Sequence, residues 1–289
     1  RHENIRIISM ADFTAANSIN SYKKAGLEKA ISVARGSLIV TTDADCIAGK
    51  KWLETIATFH LENDFVFIAA PVVIDGGSKV NHDFLSIFQA LDFMTMQGIT
   101  GASVAKKFHN MCNGANLAYT KQAFDIAGGF KGIDNIASGD DMLLMQKIQK
   151  LYPQKIGFLK SKDAIVFTQP AVSLLDFMNQ RIRWASKSGS YKDPKITSVL
   201  FLVYLFNAWI LMSMILSIFF IHFFQVVLLL FAGKILVELF FLYPVSNFFG
   251  KRQLLWWFIP AEPFHILYII LAGWLGRFGS YKWKGRRVK

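Results

Sequence analysis

Residues 36–46, GSLIVTTDADC, set an apolar run against two carboxylates one residue apart, Asp43 and Asp45. The run is short, rich in β-branched residues and preceded by Gly36, so it reads as a buried strand. Neighbouring carboxylates raise each other's pKa unless a cation or hydrogen-bond donors compensate. The pair is either solvated or holds something positive. Upstream, NIRIIS (4–9) reads as a strand and SYKKAGLEKAISVAR (21–35) as a helix stopped by Gly36. Strand, helix and strand predict a right-handed β-α-β unit with parallel strands. In open sheets of that kind ligands sit beyond the carboxyl ends of strands, where Asp43 and Asp45 fall.

Downstream the same alternation continues. A helix over 50–61, a strand over 65–74 (FVFIAAPVVI) and a longer helix over 82–97 are followed by a strand over 114–120 (GANLAYT). A helix over 121–127 is stopped by Gly128 and Gly129. SGDDMLLMQKIQKLY (138–152) is a helix with Ser138 as candidate cap and acidic residues at its start. AIVFTQ (164–169) is a late strand, and SLLDFMNQRIRWASKS (173–188) a helix. The fold class is α/β.

Beyond Thr197 the character changes. Residues 198–233 hold no Asp, Glu, Lys or Arg, and a spanning helix needs about 20 apolar residues. Spans are expected near 198–221 and 224–243, hinged at IHFF (221–224). The segment 254–276 is broken by Pro260, Glu262, Pro263 and His265, and is read as re-entrant, interfacial or a third span. Lys187, Lys192 and Lys195 precede the first span; Lys251 and Arg252 follow the second; Lys282, Lys284, Arg286 and Arg287 close the chain. All three clusters belong on the cytoplasmic side, which favours two crossings and a non-crossing end. The chain thus divides into a domain at 1–196 and a membrane region at 197–289, an integral protein of the inner or plasma membrane whose first domain is cytoplasmic. Lys234 and Glu238, one turn apart in an apolar segment, pair with each other, lie against the protein interior or mark a transport pathway.

The net charge of +12 comes with no nucleic-acid-binding signature, and anionic lipid explains where the basic residues lie. Two cysteines, Cys46 and Cys112, make no disulfide or metal framework, which fits a reducing, cytosolic face. The chain opens at Arg1 without a signal peptide, as if in mid-sequence.

Three constellations can carry chemistry. Asp43 and Asp45 suit a hard divalent cation that also takes substrate phosphates. Asp140 and Asp141 could simply favour a helix N-terminus, or one of them could be a general base. Gln180, Arg183 and Trp184 fall at i, i+3 and i+4, so an amide, a guanidinium and an indole share a helix face. That face suits a sugar ring and a leaving diphosphate, or an anchor at the membrane surface.

Taken in order and ahead of apolar helices, TTDADC, NGANLAYTKQAFDIAGGF, SGDDMLLMQKI and QRIRW resemble the family 2 glycosyltransferases with a GT-A fold. The likeness is to the membrane-integrated branch with cellulose, chitin and hyaluronan synthases and ceramide glucosyltransferase, and covers about residues 4–187. It implies a Rossmann-like nucleotide-diphospho-sugar transferase domain lacking its first strands. It also implies that Asp43 and Asp45 bind the donor diphosphate through Mg²⁺ or Mn²⁺, and that Asp141 is the base, with Asp140, where the family usually has Glu, as support or alternative base. Gln180, Arg183 and Trp184 lie near the diphosphate and the acceptor entrance. Asn113, Gly114 and Asn116 face the sugars, and Lys24, or its neighbour Lys23, lies near the nucleotide. The donor is a nucleotide-diphosphate sugar, a UDP-sugar foremost; the acceptor is lipid-linked or a glycan, with single addition favoured over polymerisation. The rivals are a catalytically impaired transferase-like protein in complex assembly, a Mg²⁺-dependent nucleotidyl- or phosphotransferase, and a small transporter.

Overall fold

A computed structural model describes residues 5–10, 21–75, 83–108, 111–134, 136, 139–191, 193–283 and 286–288. Asn4, His82 and Ser138, the expected strand start, helix start and cap, lie outside the described residues. In chain order come α1 (Tyr22–Val33), β1 (Leu38–Thr41), β2 (Ile47–Ala48), α2 (Trp52–Asn63), β3 (Phe67–Ala69), β4 (Val72–Ile74) and α3 (Phe84–Ala105). Then follow β5 (Leu117–Thr120), α4 (Lys121–Ile126), α5 (Met142–Leu151), β6 (Ile156–Phe158), β7 (Val166–Thr168) and α6 (Leu174–Ser186).

The main sheet has the order β1-β5-β3-β6. β5 is antiparallel to both β1 and β3, while β3 and β6 are parallel. Alternating side chains serve two layers. Phe67 and Ala69 face the cluster of Ile31, Tyr119, Leu144, Met145 and Ile148 beside α1 and α5, and Ile68 faces Ile56, Ala118 and Leu159 beside α2. A smaller sheet, β2-β7-β4, lies beyond.

Three expectations change. Residues 5–10 form no strand, so the first β-α-β unit is not built. Ile5 and Ile7 are exposed, burying no apolar face against β1, which pairs with antiparallel β5 instead. The run 65–74 is two strands in different sheets, because Pro71 has no N–H for a ladder and its carbonyl is taken by Asn116 and Val166. Helix α3 continues past Gln97 to Ala105, where packing overrides glycine's poor propensity. A Cβ at Gly98 would lie 2.7 Å from Val245.

Three helices are long and apolar enough to cross a membrane, and the chain is membrane-associated. Helix α7 (Pro194–Leu216) starts on an Asp193 cap whose carboxylate accepts the Lys195 N–H. It ends before the expected hinge, and α8 (Ile221–Phe249) then runs through Pro244 to Gly250, at φ +66°. After a 3₁₀ turn at Arg252–Trp257, α9 (Phe258–Phe278) is one continuous helix in spite of Pro260 and Pro263. It lies along α6. Phe264 packs on Phe88 and Phe177 near one end, and Gly276 lies against Ala185 at the other. Both ends of α9 therefore rest on the α/β part. A β8–β9 hairpin (Tyr281–Trp283, Arg286–Val288) follows. Lys234 of α8 pairs with Glu238 at 2.6 Å and with Glu262 of α9 at 2.5 Å, so the expected pairing with Glu238 is present.

Candidate active site

Antiparallel pairing of β1 with β5 sets Thr41 opposite Leu117. The residues after β1 and those before β5 therefore meet at one sheet end. Asp43 leaves β1 into a turn closed by the Cys46 N–H on the Asp43 carbonyl, at 3.1 Å. Asp45, on that turn, is exposed, with the Cys46 thiol donating to it at 3.8 Å. The two carboxylates do not share a partner. Asp43 accepts from the Lys23 ammonium at 2.8 Å, and the same ammonium lies 2.9 Å from Asp140. Of the D-x-D pair, Lys23 is therefore the positive partner of Asp43 alone among the described residues. Lys23 is the last residue to be called a bystander: burial opposes its charge, but Asp140 and Asp43 outweigh burial and hold its pKa above the ordinary lysine value.

Asp140 and Asp141 arrive from the start of α5. Gly139 before them has φ +82°, a left-handed conformation that suits glycine. Asp141 caps the helix: Oδ1 accepts the Met142 N–H at 2.7 Å, and Oδ2 accepts the Gly114 N–H at 3.1 Å. Lys187 is 3.9 Å from Asp141 and only 10 % exposed. Burial acts to raise the Asp141 pKa, yet Lys187, the Met142 N–H, Lys23 and the Gly114 N–H together hold it below the usual carboxylate value. Gly114 is as close to Lys23 as to Asp141, since a Cβ there would lie 3.4 Å from the ammonium and 3.5 Å from the carboxylate. Lys23, Thr41, Thr42, Gly114, Tyr119 and Asp140 line one cleft.

Arg183 reaches this region from α6. Burial lowers its pKa, against the pull of Asp141, Tyr281, Asp140 and Asp43. On the same helix Gln180 has a buried Oε1 with no hydrogen-bond partner among the described residues, and Trp184 leans on Phe93 of α3 at 6.2 Å. Asn113 closes the turn before β5, its Oδ1 accepting the Ala115 N–H at 3.0 Å.

Two expected residues spend their polar groups elsewhere, although Lys24 is close enough to Asp140 and Asp141 for their charges to act on it. Lys24 is buried and donates to the Ile133 and Ile136 carbonyls, each at 2.6 Å, and burial pushes its pKa down to about 8. Asn116 is fully buried, donating to the Pro71 and Ala164 carbonyls and accepting from Trp52. It ties the two sheets together. Conversely Lys187, which sequence reasoning assigned to a membrane-flanking basic cluster, belongs beside Asp141. Its spacing from QRIRW, one helical turn past Arg183, was the available signal.

Asp43, whose charge Lys23 already meets, and Asp45, exposed two residues on, are hard oxygen donors. Among the described residues no three His, Cys, Asp or Glu side chains converge as a metal cage. Asp43 and Asp45 are the two carboxylates that would hold Mg²⁺ or Mn²⁺, with substrate phosphates and water as the other ligands. No curated protein matches the chain. A family model described as glycosyl transferase family 21 matches residues 2–289, spanning both the α/β part and the apolar helices. The motif series pointed to glycosyltransferases and to family 2; the match keeps the first and gives another family. With acidic pairs, cleft and apolar helices all inside that match, the chain belongs to glycosyl transferase family 21.

Proposed function

We propose that this glycosyltransferase moves a sugar from a nucleotide-diphosphate sugar, a UDP-sugar foremost, to a hydroxyl of a lipid-linked or glycan acceptor at the cytoplasmic membrane face. The transfer is a single displacement with inversion. One observation carries this reading: Asp43, Asp140 and Asp141 gather around the Lys23 and Gly114 cleft, with Arg183 near enough for its charge to be felt.

Asp141 is the base. It takes the proton of the acceptor hydroxyl as that oxygen bonds to the anomeric carbon, while the bond to the diphosphate breaks and its electron pair leaves with the nucleotide. Asp140 supports it through Lys23. Arg183 offers a guanidinium to the departing diphosphate, and Gln180, Trp184, Asn113 and Gly114 are assigned to the sugars and the acceptor. Lys23 takes the donor-side place expected of Lys24. Asp43 and Asp45 are the residues that would hold Mg²⁺ or Mn²⁺, which when bound neutralises diphosphate charge. Lys187 keeps Asp141 ionised.

The test is a donor screen on the full chain in membranes with Mg²⁺ or Mn²⁺, reading nucleoside diphosphate release with and without lipid extract. Asp141→Asn is expected to lower transfer by about 10²–10⁴-fold without unfolding the protein. Full turnover in that variant would remove Asp141 as base. Pyrophosphate in place of nucleoside diphosphate would favour the nucleotidyltransferase reading.

A further inference from the structure

Beneath Trp184 lies a buried charged group that the reaction above does not use. Arg181, on α6, is 3 % exposed, and its guanidinium is 2.7 Å from Asp92 of α3, itself 4 % exposed by side chain. The Asp92 carboxylate also accepts from the Tyr268 hydroxyl of α9 at 2.5 Å, and His265 of α9 lies 3.9 Å away. The guanidinium is stacked between two rings of its own helix, 4.8 Å from the centroid of Phe177 and 4.3 Å from that of Trp184. Its Nε, Nη1 and Nη2 have no hydrogen-bond partner among the described residues, nor has Asp92 Oδ2, so the 2.7 Å contact is an ion pair without hydrogen-bond geometry. Charge and stacking, rather than a full set of hydrogen bonds, hold it.

Buried ion pairs cost desolvation that apolar packing would avoid, and their best-attested use is to fix one arrangement among several. Phe88, Phe177, Phe264 and Tyr268 already pack this junction, so apolar contact alone would let α6 roll about its axis. The ion pair admits one roll. At about 100° per residue, the face carrying Gln180, Arg183 and Trp184 is centred about 100° round the helix from Arg181. Pinning Arg181 to Asp92 therefore aims that face.

We infer that Asp92, Arg181 and Tyr268 form a three-helix clamp that sets the roll of α6 and so positions Trp184 and Gln180 for transfer. Asp92 and Arg181 are positioning residues; neither touches the cleft. The inference rests on the proposed role of α6 beside the donor and acceptor. The clamp adds one hydroxyl-to-carboxylate bond to the packing by which α9, a helix of the membrane region, meets α6.

The test uses the full chain in detergent micelles, labelled with 5-fluorotryptophan, the Trp184 resonance being assigned through Trp184→Phe. Tyr268→Phe removes one hydroxyl and no charge, and lies outside the cleft. The clamp requires the Trp184 ¹⁹F resonance to shift or broaden in that variant, and kcat to fall about tenfold with KM for the donor little changed, a size in keeping with misplaced reacting groups. An unchanged resonance and an unchanged kcat overturn it. Asp92→Asn with Arg181→Met removes both charges, so no unpaired charge remains buried. Thermal stability near that of the parent with kcat still depressed supports the clamp, whereas kcat that returns with stability shows the pair to be packing only. A Trp184 resonance that shifts in a protein transferring no sugar retires the proposed function and leaves the clamp standing.

Discussion

At Asp141 two opposing effects meet. Burial raises a carboxyl pKa, and cations and N–H donors lower it; here Lys187, Met142, Lys23 and Gly114 prevail. With a folded pKa below the unfolded one, Asp141 contributes stability at neutral pH that is lost as pH falls through the folded value. In its proposed role as base it stays ionised over the same range. The acid limb of kcat/KM is therefore expected below about pH 4, the ordinary carboxylate range, when nucleoside diphosphate release is followed against pH. Lys187→Met deletes the largest opposing charge and is expected to move that limb upward. A limb between about 5 and 7 in the parent would point to a histidine-like group in place of Asp141. The D-x-D pair looks different at this scale too. Asp43 is neutralised by Lys23 while Asp45 faces solvent, so the repulsion suggested by the sequence is already relieved on one side.

At the scale of elements, a short turn decides where both acidic residues of the α5 start point. Gly139 at φ +82° has the Leu143 side chain 3.1 Å from where a Cβ would be. Gly139→Ala is expected to destabilise the fold by about 1–2 kcal/mol from the left-handed backbone alone, measured by thermal denaturation. It should also lower transfer, because relaxing that strain turns Asp140 away from Lys23. Helix α9 makes a second case. Its length and composition suit a span, yet Trp257 packs near Phe84 and Arg277 near Gly189, so its two ends address the same α/β part. A C-terminal tag and a tag on the 3₁₀ turn at Arg252–Trp257 are expected on the same side in protease-protection experiments on sealed vesicles. Opposite sides would make α9 a crossing helix.

Across the whole molecule, the membrane helices and the α/β part share one interior. Phe88 of α3, Phe177 of α6, Leu242 of α8 and Tyr268 of α9 belong to a single apolar cluster, and Lys234 ties α8 to α9 through the buried Glu262. Lys234→Met leaves that carboxylate unpaired and is expected to cost about 3–5 kcal/mol, read as a lower unfolding midpoint in detergent. Glu262→Gln in the same chain should recover part of it. Residue order alone determined the α/β alternation, the strand ahead of Asp43, the helix opening on Asp141 and the apolar helices, because periodicity and uncharged length are local properties. It also carried the motif series that led to a glycosyltransferase. Long-range contacts decided the rest. The split at Pro71, the antiparallel β5, the choice of Lys23 over Lys24, the burial of Asn116 and the place of Lys187 beside Asp141 all depend on partners distant in the chain. No periodicity encodes which of two adjacent lysines faces a cleft, since that is set by how α1 rolls against a sheet whose order appears only in three dimensions.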